Sequence, residues 1–163
     1  MRTKGGTLGG TNIKEVGMKG RMSETRGTRS KIVIVEDDEL MTAVYKRLFL
    51  REEDRFTCTL KKNAEDALDS LHRIRTDILI LDWDLPGISG LQLLKTLRAK
   101  RATRLLPIIV VSGRAGIEDR IEALKHGAND YLSKPFDMHE LMARLEVLLR
   151  RSEFVKKPSS RHA

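Results

Sequence analysis

Three acidic residues, one serine and one lysine stand directly after apolar segments of this sequence: Glu36, Asp37, Asp82, Ser112 and Lys134. Carboxylates gathered at one place repel one another unless a cation is present. An acidic pocket made only of oxygen atoms suits a hard divalent ion such as Mg²⁺. A lysine ammonium and a hydroxyl opposite the acids would bind an added phosphoryl group. These residue types therefore predict phosphoryl chemistry at a magnesium site, provided that the fold brings them together.

The segment Ile78 to Leu81 positions Asp82. Four consecutive apolar residues without alternation predict a strand that is buried on both faces. Leu85-Pro86-Gly87 then predicts a turn, because Pro fixes its own φ and Gly accepts a positive one. An apolar pattern typical of a helix begins at Leu91. Asp82 is therefore predicted to lie on a strand-to-helix loop.

Strand and helix patterns alternate along the rest of the chain. Two-faced strands are predicted at 32–35 and 107–111, a short last strand at 131–133, and an alternating, edge-type strand at 56–60. Helices follow each strand. Their apolar faces are predicted to be Leu40, Val44 and Leu48; Ala64, Ala67, Leu68, Leu71 and Ile74; Leu91, Leu94 and Leu97; Ile117, Ile121 and Leu124; Leu141, Leu145, Leu148 and Leu149.

Five strand–helix units joined by right-handed crossovers predict an α/β fold, a doubly wound five-stranded parallel sheet with helices on both faces. Placing the alternating strand at an edge favours the strand order 2-1-3-4-5, the order of flavodoxin-like (βα)5 sheets. Functional sites in such sheets form at the carboxyl ends of the strands. The five polar residues stand at these ends, so we expect them to converge.

The net charge of +8 is not spread over the chain. Residues 1–30 carry seven Lys and Arg against two acids, residues 151–163 carry four against one, and residues 31–150 carry twenty of each. We therefore expect a disordered basic tail over 1–30, a folded domain over 31–151 and a polar basic tail over 152–163. A neutral folded part gives no reason to expect direct nucleic-acid binding by this chain.

The remaining composition indicates a cytoplasmic protein. Cys58 is the single cysteine, so no internal disulfide forms and a reducing compartment is the natural interpretation. The N-terminus has no apolar core of a signal peptide, and no apolar run reaches the length of a membrane span. Trp83, next to Asp82, is predicted to lie at the solvent edge.

Four motifs resemble the response-regulator receiver domain of two-component signalling, and the match runs from Lys31 to Arg151. The motifs are Val35-Glu36-Asp37-Asp38, Leu81-Asp82-Trp83-Asp84-Leu85-Pro86-Gly87-Ile88-Ser89-Gly90, Val110-Val111-Ser112-Gly113 and Gly127-Ala128-Asn129-Asp130-Tyr131-Leu132-Ser133-Lys134-Pro135-Phe136.

The resemblance implies that Asp82 is a phosphoacceptor, which takes a phosphoryl group from the phosphohistidine of a sensor histidine kinase or phosphotransfer protein. Glu36, Asp37 and Asp82, with the backbone carbonyl of Asp84, would hold Mg²⁺. Such a domain is a phosphoacceptor protein and not an enzyme in the usual sense.

The same resemblance assigns roles around the phosphoryl group. Lys134 would bind it, and the Lys134-Pro135 bond would be cis. Ser112 would move to donate a hydrogen bond to it, and Tyr131 would change rotamer in concert. The surface formed by the fourth helix, fifth strand and fifth helix would thereby switch on phosphorylation.

A finer resemblance is to receivers of the OmpR/PhoB subfamily, in which phosphorylation promotes a symmetric homodimer through that switched surface. Charge pairs across the interface would orient the two copies. The pairs implied here are Arg120 with Glu140, Asp130 with Arg144, and Lys125 with Glu146.

Two alternatives remain open at this point. The chain could be the receiver portion of a truncated or split winged-helix DNA-binding transcription regulator. It could also be a Mg²⁺-dependent phosphatase that forms an aspartyl-phosphate, because such enzymes use an Asp two residues beyond the nucleophile as general acid, and Asp84 occupies that position.

Overall fold

The computed structural model describes residues 29–156. Five strands and five helices alternate along the chain, as the sequence predicts. The elements are β1 (Ser30–Val35), α1 (Glu39–Arg51), β2 (Phe56–Lys61), α2 (Ala64–Arg73), β3 (Ile78–Asp82), α3 (Gly90–Ala99), β4 (Ile108–Ser112), α4 (Ile117–Lys125), β5 (Asp130–Ser133) and α5 (Met138–Lys156).

All five strands form one parallel sheet in the order β2-β1-β3-β4-β5, which confirms the predicted topology. The residues of β3 and β4 are buried throughout. By contrast, β2 is mostly only half-buried because it has a neighbour on one side alone. The alternating sequence of β2 is therefore the signature of an edge strand.

Two apolar layers cover the two faces of the sheet. One layer packs Leu93, Leu94 and Leu97 of α3 and the small residues of α2 against one side of β1, β3 and β4. The other layer packs aromatic residues of α1 and leucines of α5 against the opposite side. Each central strand is covered on both faces, and this explains why its sequence is continuously apolar.

The predicted apolar face of α1 is wrong at Leu40 and Val44, whereas Leu48 is partly buried and packs against the core as expected. Leu40 is 79% exposed and Val44 is also exposed. The helix instead buries the face that carries Tyr45 and Phe49, with Thr42 one turn earlier. Two aromatic rings one turn apart present more apolar area to the sheet than Leu40 and Val44 do, so the helix is rotated toward them.

The predicted apolar face of α4 is also wrong. Ile117, Ile121 and Leu124 are 74%, 44% and 42% exposed, and the only buried residue of this helix is Ala123. The helix approaches the sheet through that small side chain. Three large apolar residues therefore form a stripe on the surface, which we call the α4 stripe.

Trp83 is buried, contrary to the prediction of a solvent-edge position, and it belongs to the core layer beneath α3. The first turn of α3 packs directly over it, since the amide of Gly90 donates a hydrogen bond to the Trp83 carbonyl (3.0 Å). The indole thus helps to hold the loop that follows Asp82.

The predicted terminal tails lie largely outside the described residues, which exclude 1–28 and 157–163. At the C-terminal side, α5 runs past the expected domain boundary at Arg151 and ends at Lys156. Within residues 29–156, no helix is long and apolar enough to cross a membrane.

The loop from β3 to α3 is tightly defined at both ends. Gly87 has a φ of 71°, which favours glycine over residues with side chains. Ser89 caps α3, and its capping box with Gln92 satisfies the first backbone amides of the helix. A Cβ atom added at Gly90 would lie 2.2 Å from the Asp82 carbonyl oxygen. The helix can therefore start this close to Asp82 only with glycine at position 90.

We expect Gly90→Ala to destabilise the protein by about 3 kcal/mol, because the added methyl group meets rigid backbone rather than a movable side chain. Gly113→Ala is the matched control, since nothing lies within 4 Å of a Cβ atom there. Urea unfolding of the two variants measures the difference. Equal stabilities would contradict this account of the loop.

Candidate functional site

The carboxyl edge of the sheet brings the predicted acidic residues together. Val35 pairs with Leu81 between β1 and β3, which places the next residues, Glu36 and Asp82, side by side. Asp37 completes the cluster, and one carboxylate oxygen of each of the three residues lies within 4.8 Å of the others. Glu36 and Asp82 are 1% and 6% exposed, whereas Asp37 is exposed.

Lys134 joins this cluster from the end of β5. Its Nζ lies 2.8 Å from Glu36 Oε2 and 2.8 Å from Asp82 Oδ2. Burial by itself favours the neutral amine, but the hydrogen bonds to Asp82 and Glu36 outweigh it and raise the pKa of Lys134. The lysine is therefore a cation held between two carboxylates. The Lys134-Pro135 bond is cis, as the resemblance implies.

Glu36 is buried next to a second carboxylate, and this position shifts its pKa. Burial raises the pKa of Glu36 to about 7, and the nearby charge of Asp82 acts in the same direction. The hydrogen bond from Lys134 opposes both effects without cancelling them. A second cation at this edge would therefore relieve a real electrostatic cost.

The acidic cluster fits a hard divalent cation. It supplies only carboxylate oxygens, and Asp37 offers one that faces solvent. Mg²⁺ binds through a few carboxylates while keeping several waters, so an open, half-hydrated edge of this kind suits it. An open groove of about 690 Å³, lined by Asp37, Asp84 and Arg114 among others, borders the cluster and provides access.

Ser112 and Tyr131 meet the same loop, the segment that links β4 to α4. Ser112 is fully buried, and its Oγ accepts a hydrogen bond from the backbone amide of Arg114 (3.1 Å). Tyr131 is buried, and its hydroxyl donates to the Arg114 carbonyl oxygen (2.6 Å). The two residues expected to switch are thus connected through the backbone of a single residue.

The backbone amide of Asp84 donates a hydrogen bond to Asp82 Oδ1 (3.1 Å). The carboxylate of Asp84 forms an ion pair with the guanidinium of Arg114. The Arg114 Nε lies 2.9 Å from Asp84 Oδ1. Sequence reasoning missed Arg114. Its position two residues beyond the end of β4 was the available signal, because that places it at the same sheet edge as the acids.

Several residues of the expected dimer face already have partners within the chain. Arg144 pairs with Asp130 and with Glu140, both at 2.7 Å. Glu146, expected to meet Lys125 of a second copy, pairs with Arg55 instead. Among the described residues, Arg120 and Lys125 form no ion pair, and both lie on α4. The pairs involving Arg144 and Glu146 therefore need rearrangement before they can bridge two copies.

A doubly wound sheet of this order, with three carboxylates and a lysine at its carboxyl edge, defines the receiver class of signalling domains. The chain belongs to the response regulator receiver domain family, whose pattern matches residues 32–146. The resemblance predicted from the motifs is therefore confirmed. Proteins of this class are phosphoacceptors rather than classical enzymes.

The amino-acid sequence is similar to those of known response regulators. It is 38% identical over 123 residues to the phosphate regulon transcriptional regulatory protein PhoB of Rhizobium meliloti, covering 76% of this chain and 53% of PhoB. It is 37% identical over 123 residues to the cell cycle response regulator CtrA of Brucella ovis, covering 76% and 51%. The predicted likeness to the OmpR/PhoB subfamily is thus confirmed, and the chain spans about half the length of these relatives.

A solved structure shows the same fold. The receiver domain of the sensor histidine kinase PA1611 from Pseudomonas aeruginosa matches with a TM-score of 0.68 and 30% identity, over 75% of this chain and 98% of that domain. That structure carries a magnesium ion coordinated in its active-site cleft.

Without metal, we expect the stability of the protein to fall between about pH 5 and pH 7.5. Folded Glu36 keeps its proton up to a pKa of about 7, whereas the unfolded residue releases it near 4.5. The folded state therefore binds more protons in this window, and stability decreases as the pH rises. Glu36→Gln should remove a loss on the order of 2 kcal/mol.

Urea unfolding in EDTA across this pH range measures the effect. Glu53→Gln, at an exposed glutamate in the turn that follows α1, is the matched control and should keep the wild-type slope. The same pH slope in wild type and in Glu36→Gln would contradict the assignment to Glu36.

Proposed function

We propose that this protein is the phosphoacceptor of a two-component phosphorelay and that Asp82 receives the phosphoryl group. The observation that supports it best is the position of Lys134, whose Nζ lies 2.8 Å from both Asp82 and Glu36. Lys134 holds a carboxylate oxygen of Asp82 at the place where a cation would also bind an incoming phosphoryl group. Its donor is the phosphohistidine of a sensor histidine kinase or a phosphotransfer protein.

In the proposed reaction, a carboxylate oxygen of Asp82 attacks the phosphorus atom and the bond to the histidine nitrogen breaks. The imidazole leaves with the electron pair of that bond and takes up a proton. Glu36, Asp37 and Asp82, together with the Asp84 carbonyl, would hold Mg²⁺, which neutralises charge that develops on the phosphoryl oxygens. Lys134 and Ser112 then bind the transferred group.

The switch that we propose passes through Arg114. When Ser112 turns its hydroxyl to the phosphoryl group, the hydrogen bond that it accepts from the Arg114 amide is lost. The carbonyl of Arg114 holds the Tyr131 hydroxyl, so movement of this loop releases the ring. Because α4 begins at Ile117, three residues later in the chain, the α4-β5-α5 surface changes with it.

Intact mass after incubation with acetyl phosphate tests the phosphoacceptor. We expect one phosphoryl adduct on the wild type with Mg²⁺ and none with EDTA. Asp82→Asn should abolish it because the nucleophile is gone, whereas Asp54→Asn, at an exposed aspartate before β2, should retain it. A folded protein that acquires no Mg²⁺-dependent adduct would contradict the proposal.

We further propose that the α4 stripe is the apolar centre of a homodimer that phosphorylation promotes. Three exposed large residues on one helix form a contact site that charge pairs at its rim then orient. Among the rim residues, Arg120 and Lys125 are available on α4, and Asp130, Glu140, Arg144 and Glu146 become available when their internal pairs exchange partners.

Ile121→Arg should weaken phosphorylation-dependent dimerisation at least tenfold, because a charge would be buried at the interface. Sedimentation equilibrium in acetyl phosphate and Mg²⁺ measures it. Leu50→Arg, at an exposed apolar residue near the end of α1, is the control and should dimerise as wild type. Unchanged dimerisation of Ile121→Arg, with Asp82 phosphorylated, would exclude this face.

A second candidate is the receiver portion of a DNA-binding transcription regulator. The half-length match to PhoB, a transcriptional regulatory protein by name, favours it. A winged-helix sequence encoded downstream of Ala163 would establish this form. Both candidates share the chemistry at Asp82.

The third candidate, a phosphatase that forms an aspartyl-phosphate, is less favoured because Arg114 forms an ion pair with the Asp84 carboxylate that would act as general acid. Phosphomonoester turnover that Asp84→Asn abolishes would reinstate it.

A further inference from the structure

A cleft lies at the end of the sheet opposite Asp82. It is lined by Asp77, Pro107 and Asn129, the residues directly before β3, β4 and β5, and the end of α5 closes one side. Its volume is about 750 Å³. Pockets that hold small organic ligands fall in this range. None of the residues proposed for phosphoryl transfer borders it, so its function is separate from that of the acidic edge.

The lining of the cleft is strongly cationic. Among the residues whose side chains the structure describes, four arginines line it, Arg75, Arg98, Arg104 and Arg151, against one carboxylate, Asp77. That carboxylate already accepts a hydrogen bond from the Lys31 amide (3.0 Å) and lies 3.6 Å from Arg75 Nε. The charge of the cleft is therefore far from balanced by its own residues.

Arg98 is a cation of this cleft that has no anionic partner among the described residues. Its guanidinium is half-buried and donates to three neutral oxygens, the carbonyls of Gly127 (2.8 Å) and Thr103 (3.2 Å) and the side chain of Asn129 (3.0 Å). No carboxylate of residues 29–156 pairs with it. Burial of the guanidinium lowers the pKa of Arg98. A buried cation with only neutral acceptors gains from a nearby anion.

Apolar side chains complete the lining. Leu105 is among the most exposed large apolar residues of the described chain, and Ile74 and Leu106 stand with it along the cleft. An organic anion needs two kinds of contact. A guanidinium group binds its charged group, and an apolar surface packs against its body.

The chain's own terminal segments do not fit this cleft. Residues 1–30 carry seven Lys and Arg against two acids. Residues 157–163, which follow α5, include Lys157 and Arg161 and no acidic residue. Cationic segments are repelled by the four arginines, so neither of these two stretches suits the cleft, whereas an anionic molecule does.

We propose that this cleft binds a small amphipathic anion, with an apolar body against Leu105 and Ile74 and a phosphate or carboxylate group held by Arg104 and Arg151. The site is a second ligand site of the domain, independent of the proposed phosphoacceptor function. Its ligand class is an organic phosphate or carboxylate rather than a bare inorganic ion, because the apolar lining contributes only to an organic body.

The test uses 8-anilinonaphthalene-1-sulfonate, an apolar aromatic body with one anionic group, added to the full chain labelled with ¹⁵N. We expect saturable binding of one molecule with amide shift changes at Thr76, Thr103 and Asn129. Arg104→Glu and Arg151→Glu should each weaken binding about tenfold. Arg101→Glu, an exposed arginine of the same loop that does not line the cleft, should bind as wild type.

Displacement by AMP would identify organic phosphates as the ligand class, and displacement by octanoate would identify carboxylates. The dye also binds exposed apolar surface in general, so shifts confined to α4 would overturn the proposal. Equal loss of binding in Arg101→Glu, or no loss in Arg104→Glu and Arg151→Glu, would overturn it as well. A ¹⁵N spectrum that keeps the wild-type amide shifts of residues away from the cleft shows that each variant is folded.

Discussion

The contact on which this structure depends most is the pair of hydrogen bonds from Lys134 to Glu36 and Asp82. It ties the end of β5 to the ends of β1 and β3, across the sheet. Two buried carboxylates next to each other are tolerated because one ammonium lies between them. Removing Lys134 would leave both carboxylates without their cation, so the site and the fold are stabilised together.

Arg114 extends this arrangement from the acidic edge to the surface. Its side chain holds Asp84, its amide reaches Ser112, and its carbonyl receives the Tyr131 hydroxyl. These contacts give the proposed change in charge at Asp82 a route to the loop that begins α4. Since α4 contacts the sheet through a single small residue, Ala123, little packing resists its movement. A weakly packed helix with an apolar outer stripe suits a surface that two states present differently.

The two ends of the sheet have opposite electrostatic character. The carboxyl end gathers acids that suit a cation, while the described side chains around the cleft at the amino end include four arginines and one carboxylate. This separation explains how a domain with balanced charge over 31–150 can present both kinds of binding surface. Net charge alone concealed it, because the two surfaces cancel in the sum.

The sequence by itself determined the five strands, their order and the residues at the carboxyl edge. Continuous apolar runs such as Ile78 to Leu81 have one solution, a strand covered on both faces, and a polar residue that ends such a run must stand at the sheet edge. The predicted convergence of Glu36, Asp82 and Lys134 follows from this rule without any knowledge of distances.

Only the tertiary structure decided which face each helix buries. A helix with apolar residues on more than one side has several possible orientations, and competition for the sheet selects among them. In α1, Tyr45 and Phe49 are buried against the sheet and Leu40 and Val44 are exposed. In α4, Ala123 is buried and the α4 stripe is exposed. Arg114 and the arginine cleft were hidden for a related reason. Their side chains come from segments distant in sequence, and no local pattern records which of them meet.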